Sequence, residues 1–190
     1  CKEKSLVLQT CFMKVEAKIT DKGVKVFDKE KAEEIHREKY YGKILDDETL
    51  QLSPCEALHL MERDVTFTIN NGELGREEAY EKFCEIDEEF AYKYSAYSDL
   101  RERGYIVKSG FKFGAHFRVY PRGVNPYKEG DKKEREHTKY VVHAVPENHT
   151  LSFQEMSRAV RLANNIRSDM LWAVNDTEDQ VTYYQVDHKK

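Results

Sequence analysis

Two helix starts constrain this chain more than any other feature it carries. Ser53-Pro54-Cys55-Glu56 combines an N-cap serine, a proline at the first helical position and a glutamate three residues after the cap. Ser152 and Glu155 repeat the serine-glutamate box in the second half. Each box opens a run with an apolar helical face: Ala57, Leu58, Leu60 and Met61 after the first, Phe153, Met156, Val160, Ala163 and Ile166 after the second. Around both helices the pattern changes to strand-like alternation. Helices interspersed with strands exclude an all-helical bundle and an all-strand sandwich and give an α+β fold.

The remaining elements follow from the same two periods. Phe12 to Phe27 alternates about Gly23 and predicts an antiparallel meander. Asp28 is placed to cap a helix running to about Tyr40, without a capping box because Lys31 stands where a glutamate is needed. Thr49–Leu52 and Val65–Ile69 read as strands, the latter ending in the turn Asn70-Asn71-Gly72. Helices are predicted over 75–86 and 88–103, with Phe90, Tyr94, Tyr97 and Leu100 on one face of the second. Five strands follow, near 105–107, 117–120, 140–145, 170–174 and 181–186, with a polar loop over 121–136. Gly110 to Gly114 reads as a hairpin turn. The expectation is two small mixed domains, an N-terminal α+β domain over 1–90 and a second domain over 91–190 on a central mixed sheet.

Charged residues make up 35% of the 190-residue chain, above the usual ~25%, and aromatics at 12% are too many for a disordered one. The charge is unevenly spread. Before residue 96 there are 15 Lys+Arg against 22 Asp+Glu, and from there on 16 against 13. Between Tyr97 and Lys139 the balance is 11 to 6, an excess compatible with a polyanionic partner. No apolar run approaches the ~18 residues of a membrane span and none near the start reads as a signal peptide, so a soluble, cytoplasmic protein without a membrane partner is expected. Cys1, Cys11, Cys55 and Cys84 show neither CxxC nor metal-ligand spacing, and they read as thiols in a reducing compartment, with no metal and no cofactor. HExxH, P-loop, GxGxxG and GxSxG patterns are absent. Leu100 to Tyr120, LRERGYIVKSGFKFGAHFRVY, interleaves basic and aromatic residues, the composition of a surface that stacks bases and tracks phosphates.

That segment, with HTKYVVHAVPE and SRAVRLANNIR after it, resembles the archaeal tRNA-splicing endonuclease family. KYYGK (Lys39 to Lys43), LQLSPCEALHLMER (Leu50 to Arg63) and Tyr94 to Leu100 resemble the family's earlier segments in the same order. The resemblance implies a C-terminal α/β endonuclease domain and metal-free cleavage of precursor tRNA at bulge-helix-bulge junctions. The 2′-hydroxyl attacks the adjacent phosphate, leaving a 2′,3′-cyclic phosphate and a 5′-hydroxyl. This reaction needs a proton acceptor, a proton donor and a cation for the extra phosphoryl charge. The resemblance makes Tyr120 the base and His137 the acid, a role suited to an imidazole near neutral pH. His116 and His143 are nearby competitors, and His116 is a candidate phosphate contact.

The family's lysine falls at Ser168, which brings no charge. Substitute cations are sought in the 121–136 loop, at Lys128, Lys132, Lys133 and Arg135. Arg161 is expected to share a helix face with Ser168, seven residues away, and by resemblance to stack on a bulge base; Arg158, one turn earlier, would meet phosphate. The resemblance also implies a homo- or hetero-oligomer. Asp176, Glu178 and Asp179 would dock on a neighbour's basic surface, and the edge strand carrying Val181, Tyr183 and Tyr184 would pair between units. Two readings stand: a cleaving subunit, which is preferred, and a structural, non-catalytic subunit of a heteromeric endonuclease.

Overall fold

The computed structural model describes residues 13–187 apart from 64, 129, 132, 134 and 135; the strand reading at Phe12 and the candidates Lys132 and Arg135 lie outside the described residues. Strand β1 (Met13–Thr20) buries Val15 and Ala17 and exposes Lys14, Glu16 and Lys18, as its alternation requires. It pairs antiparallel with β2 (Gly23–Val26). The expected meander stops there, because the other edge of β1 pairs in parallel with β5 (Val65–Ile69). Alternation is the same for parallel and antiparallel partners, so the residues do not reveal this crossover. β3 (Lys43–Ile44), β4 (Leu50–Leu52) and β6 (Gly72–Glu73) complete a six-stranded sheet of order β3-β4-β2-β1-β5-β6.

Helix α1 (Lys29–Glu33) starts at Asp28, whose carboxylate accepts from the Lys31 N–H, and continues into a π-helical turn over Glu34–Glu38. Helix α2 (Pro54–Met61) forms both halves of its capping box. Helix α3 (Arg76–Ile86) precedes α4 (Phe90–Glu102), whose buried face carries Phe90, Tyr94, Ala96, Tyr97 and Leu100. This face joins the two halves. α4 packs on α2 and α3 and on four strands of the second sheet, within one apolar core that runs from Val15 to Ala173.

The second sheet has the order β11-β10-β9-β8-β7: β7 (Ile106–Ser109), β8 (Phe117–Tyr120), β9 (Tyr140–Pro146), β10 (Asp169–Asn175) and β11 (Val181–Val186). β9 and β10 are parallel, joined by the crossover helix α5 (Phe153–Asn165); the other pairs are antiparallel. The sheet is therefore mixed, as expected. Its strands alternate between two apolar clusters. Val142, Ala144, Leu171 and Ala173 belong to the α4 side, and Val141, Val145, Met170 and Trp172 to the α5 side.

Candidate functional site

Tyr120, His137 and Ser168 are far apart in sequence but fall at one end of the second sheet. Tyr120 is the last residue of β8, and the segment from His137 leads into β9 beside it: the Lys139 N–H donates to the Val119 carbonyl at 2.8 Å. Because β10 runs parallel to β9, its start lies at that same end. The Asp169 N–H donates to the Lys139 carbonyl at 3.1 Å, and the Ser168 hydroxyl donates to the Thr138 carbonyl at 2.8 Å. Thr138 and Lys139, the two residues after His137, are thus tied to the ends of β8 and β10. His137 is exposed, whereas Tyr120 and Ser168 are buried.

The expected two-turn relation between Arg161 and Ser168 fails. α5 ends at Asn165, and the Arg167 N–H returns to the Asn164 carbonyl while the Ser168 N–H returns to the Ala163 carbonyl, both at 3.0 Å. With Arg167 at φ 56° this is a Schellman termination. Glycine usually marks that position, and here an arginine holds the left-handed conformation instead, so the sequence gives no stop signal. Ser168 is 4% exposed and its hydroxyl is spent on the protein backbone.

Tyr120 packs with Ile106 and Val124, and Tyr40 from the N-terminal half covers this cluster. The Arg118 guanidinium stands 5.9 Å from the Tyr120 ring centre. The loop before His137 is anchored to the same half. The Tyr127 hydroxyl donates to the Gly42 carbonyl at 2.9 Å, and its ring stacks on His36 with centroids 4.1 Å apart. Gly42 also accepts from Lys108 Nζ at 2.9 Å, and its N–H donates to Glu56 Oε1 at 2.9 Å. Its φ is +65°, and a Cβ would lie 2.5 Å from Leu50 Cδ1 and 2.7 Å from the Gln51 carbonyl oxygen, so glycine is required. Lys108 reaches Glu56 at 3.0 Å with both side chains nearly buried. Burial pushes the Glu56 carboxyl up, but Lys108 and the N–H groups of Ser53 and Gly42 outweigh it and hold the carboxyl below its ordinary value. The sequence reading missed Gly42, Glu56, Lys108 and Tyr127 as a connected group. KYYGK is among the family-like segments, but the group's contacts span 14 to 85 residues and have no local signature.

The other candidates divide by surroundings. Arg158 and Arg161 are exposed on α5. His116 Nδ1 accepts the Ala144 N–H at 3.0 Å, and its Nε2 faces Glu89 at 3.5 Å. Burial, then Lys93 and His143, push its pKa down to about 4, so at neutral pH it is uncharged. Lys128 pairs with Glu136 at 2.6 Å, and the same carboxylate accepts the Lys133 N–H at 2.7 Å. Asp176 accepts from the N–H groups of Glu178 and Gln180, both at 2.9 Å, and so builds its own turn; Glu178 and Asp179 are exposed. On the edge strand β11, Tyr183 is turned inward and its hydroxyl donates to Asp99 at 2.7 Å, while Tyr184 is 56% exposed. Among the described residues no group of three or more His, Cys, Asp or Glu is placed to hold a metal ion, and no helix is long and apolar enough to cross a membrane.

Comparison with known proteins defines the class. Residues 15–82 match the N-terminal domain of the tRNA intron endonucleases, and residues 90–183 match their catalytic C-terminal domain. The chain belongs to the tRNA-splicing endonuclease family. It is 39% identical over 165 residues to a tRNA-splicing endonuclease of Thermococcus onnurineus, covering 86% of this chain and 90% of the relative. A tRNA-splicing endonuclease of Methanothermobacter thermautotrophicus is 39% identical over 177 residues, 92% of this chain and 98% of the relative. One of Methanococcoides burtonii is 39% identical over 178 residues, 92% of this chain but 48% of the relative, so the chain spans about half the length of that protein.

Proposed function

We propose that this chain is a cleaving unit of a tRNA-splicing endonuclease, with the chemistry carried by the C-terminal domain from about residue 91. The substrate is precursor tRNA with a bulge-helix-bulge junction. The observation that carries the reading is the convergence of Tyr120, the His137 segment and position 168 at one end of the second sheet. Tyr120 accepts the proton of the 2′-hydroxyl as its oxygen bonds to the adjacent phosphorus. The bond from phosphorus to the 5′-oxygen then breaks, and His137 gives that oxygen a proton, which yields a 2′,3′-cyclic phosphate and a 5′-hydroxyl. The cation that stabilises the phosphoryl charge comes from the loop before His137. Lys133 is an exposed lysine of that loop, and the Glu136 carboxylate near it is already paired with Lys128. Arg158 and Arg161 supply RNA contacts.

Activity requires assembly in this reading. β11 is an edge strand, and pairing it across a two-fold axis covers Tyr184. Glu178 and Asp179 of one unit meet basic side chains of another, a contact that weakens with salt.

A structural role in a heteromer is the second reading, and the buried, backbone-bonded Ser168 favours it. Single-turnover cleavage of a bulge-helix-bulge RNA separates the two. Under the first reading, His137→Ala lowers the rate ~100-fold or more with RNA binding near normal. An equally active His137→Ala variant removes His137 from the mechanism. A chain inert alone, but needed for cleavage by a lysine-bearing relative, establishes the second reading.

A further inference from the structure

The chain between Tyr120 and His137 is fastened at both of its ends. Near the first end, the Asn125 side-chain oxygen accepts the Tyr127 N–H at 2.8 Å and closes a turn around Pro126. The proline fixes the backbone angle inside the turn and is buried with Val124, while Asn125 faces solvent. This turn delivers the Tyr127 side chain onto the N-terminal half. There its hydroxyl donates to the Gly42 carbonyl, its ring stacks on His36, and Lys108 Nζ stands 5.2 Å from the ring centre. Burial pushes the phenol's pKa up, so the hydroxyl stays a donor. The seat is itself fixed, because Gly42 is held by Glu56 and Lys108 and has no room for a side chain.

At the other end the loop closes on itself. Lys128 directly follows Tyr127, Glu136 directly precedes His137, and the two are paired at 2.6 Å across eight residues. The Glu136 carboxylate also accepts the Lys133 N–H at 2.7 Å, and the Glu136 N–H donates to the Lys133 carbonyl at 2.8 Å. A continuous path therefore runs from Gly42 through Tyr127, Lys128 and Glu136 to His137. On the far side of His137, Thr138 and Lys139 are tied to β10 and β8. His137 is exposed, yet the chain on each side of it is held.

We propose that Tyr127 is a positioning residue: it docks the loop on the N-terminal half and, through the Lys128–Glu136 pair, sets the place of the His137 imidazole. This rests on the reading of His137 as the acid. A proton donor has to stand within hydrogen-bond reach of the leaving oxygen. An exposed imidazole on an untethered loop would spend little time there, and a misplacement of about 1 Å costs up to ~100-fold in rate. Tyr40 covers the Tyr120 cluster and its ring lies 6.3 Å from that of Tyr127, so the Lys39 to Lys43 segment braces the loop beside the base as well. The N-terminal half thereby enters the chemical step without supplying a reacting group.

Tyr127→Phe removes the hydroxyl bond and keeps the ring, and Tyr127→Ala removes both. Single-turnover cleavage of a bulge-helix-bulge RNA gives the saturating rate and the half-saturating concentration for each, with circular dichroism to check the fold. Tyr127→Ala should lower the saturating rate ~30- to 100-fold and Tyr127→Phe ~3- to 10-fold, with half-saturation moved less than about threefold. On a His137→Ala background, Tyr127→Ala should cost less than about twofold more, because the group it positions is gone. Glu136→Gln sets position against charge: it frees Lys128, so a cation role for Lys128 raises the rate, whereas loss of position lowers it. Relaxation of the His137 ring carbons, assigned with His137→Ala and measured on the free protein, should show a more mobile ring in Tyr127→Ala. If Tyr127→Ala loses its fold, Tyr127→Phe carries the same comparisons. A wild-type rate, a rate loss matched by an equal loss of RNA binding, full additivity with His137→Ala, a faster Glu136→Gln variant or an unchanged His137 ring each overturns the proposal. A wild-type chain that does not cleave, or a fully active His137→Ala variant, removes the acid assignment instead, and the ring relaxation then decides whether Tyr127 holds His137.

Discussion

Replacing Lys108 by methionine should destabilise the whole molecule, and the contacts set the size of the effect. Lys108 Nζ lies 3.0 Å from Glu56 Oε1, 2.9 Å from the Gly42 carbonyl and 3.2 Å from the Tyr40 carbonyl. Its side chain is 11% exposed and that of Glu56 9%. Methionine keeps most of the apolar stem but leaves a buried carboxylate without its cation. Breaking a buried pair from one side typically costs about 3–5 kcal/mol. Glu56 retains donors from Ser53 and Gly42, which places the expected loss at the lower end, about 3 kcal/mol. Against a total stability of about 5–15 kcal/mol this is a large fraction. The assay is urea unfolding followed by circular dichroism and by Trp172 fluorescence. Both probes should report one transition, because the core is continuous across the two sheets. Glu56→Gln combined with Lys108→Met should recover at least half of the loss. Lys82→Met, which breaks an exposed pair with Glu78, should change stability by less than about 0.5 kcal/mol. A Lys108→Met loss below about 1 kcal/mol, or no recovery in the double variant, would refute the buried-pair reasoning.

Stability should fall on mild acidification. Burial, with Arg101 and Arg63 nearby, holds His59 at about 4, and burial holds His116 at about 4. Each is depressed from about 6.5, so the unfolded chain binds more protons between these values; the stabilisation is complete above about pH 6.5 and is lost as pH falls toward 4. Urea unfolding at pH 7.5 and pH 5 should differ by about 2 kcal/mol per histidine, and equal stabilities would contradict the burial of both. Arg167→Gly should raise stability by about 0.5–1 kcal/mol by relieving the left-handed arginine, measured by the urea midpoint; a loss would mean that the Arg167 side chain makes a compensating contact. Tyr184→Lys should lower the mass seen by light scattering if β11 pairs between units, and Glu178→Ala/Asp179→Ala should do so at low salt; unchanged masses remove the pairing and the docking respectively.

What the sequence reveals here is what short range controls. Ser53 with Glu56 and Ser152 with Glu155 mark helix starts through bonds within one turn, and both boxes are present. β11 can be read as a strand from its own alternation, but only its partner β10 and the packing of Tyr183 on Asp99 show which tyrosine remains outside. The end of α5 was hidden because Arg167 takes the place of a glycine, which misplaced Ser168 on a helix face. The parallel pairing of β1 with β5 and the junction at Gly42 depend on partners tens of residues away, so no local pattern records them.

The most direct test of the central claim is the chemistry of the cut ends. Purified chain is incubated with an end-labelled bulge-helix-bulge RNA, with and without EDTA, beside Tyr120→Phe and His137→Ala. The account predicts cleavage at the bulges that is insensitive to EDTA, gives 2′,3′-cyclic phosphate and 5′-hydroxyl termini, and falls ~100-fold or more in each variant. Termini carrying a 5′-phosphate, or a wild-type rate in both variants, would contradict it.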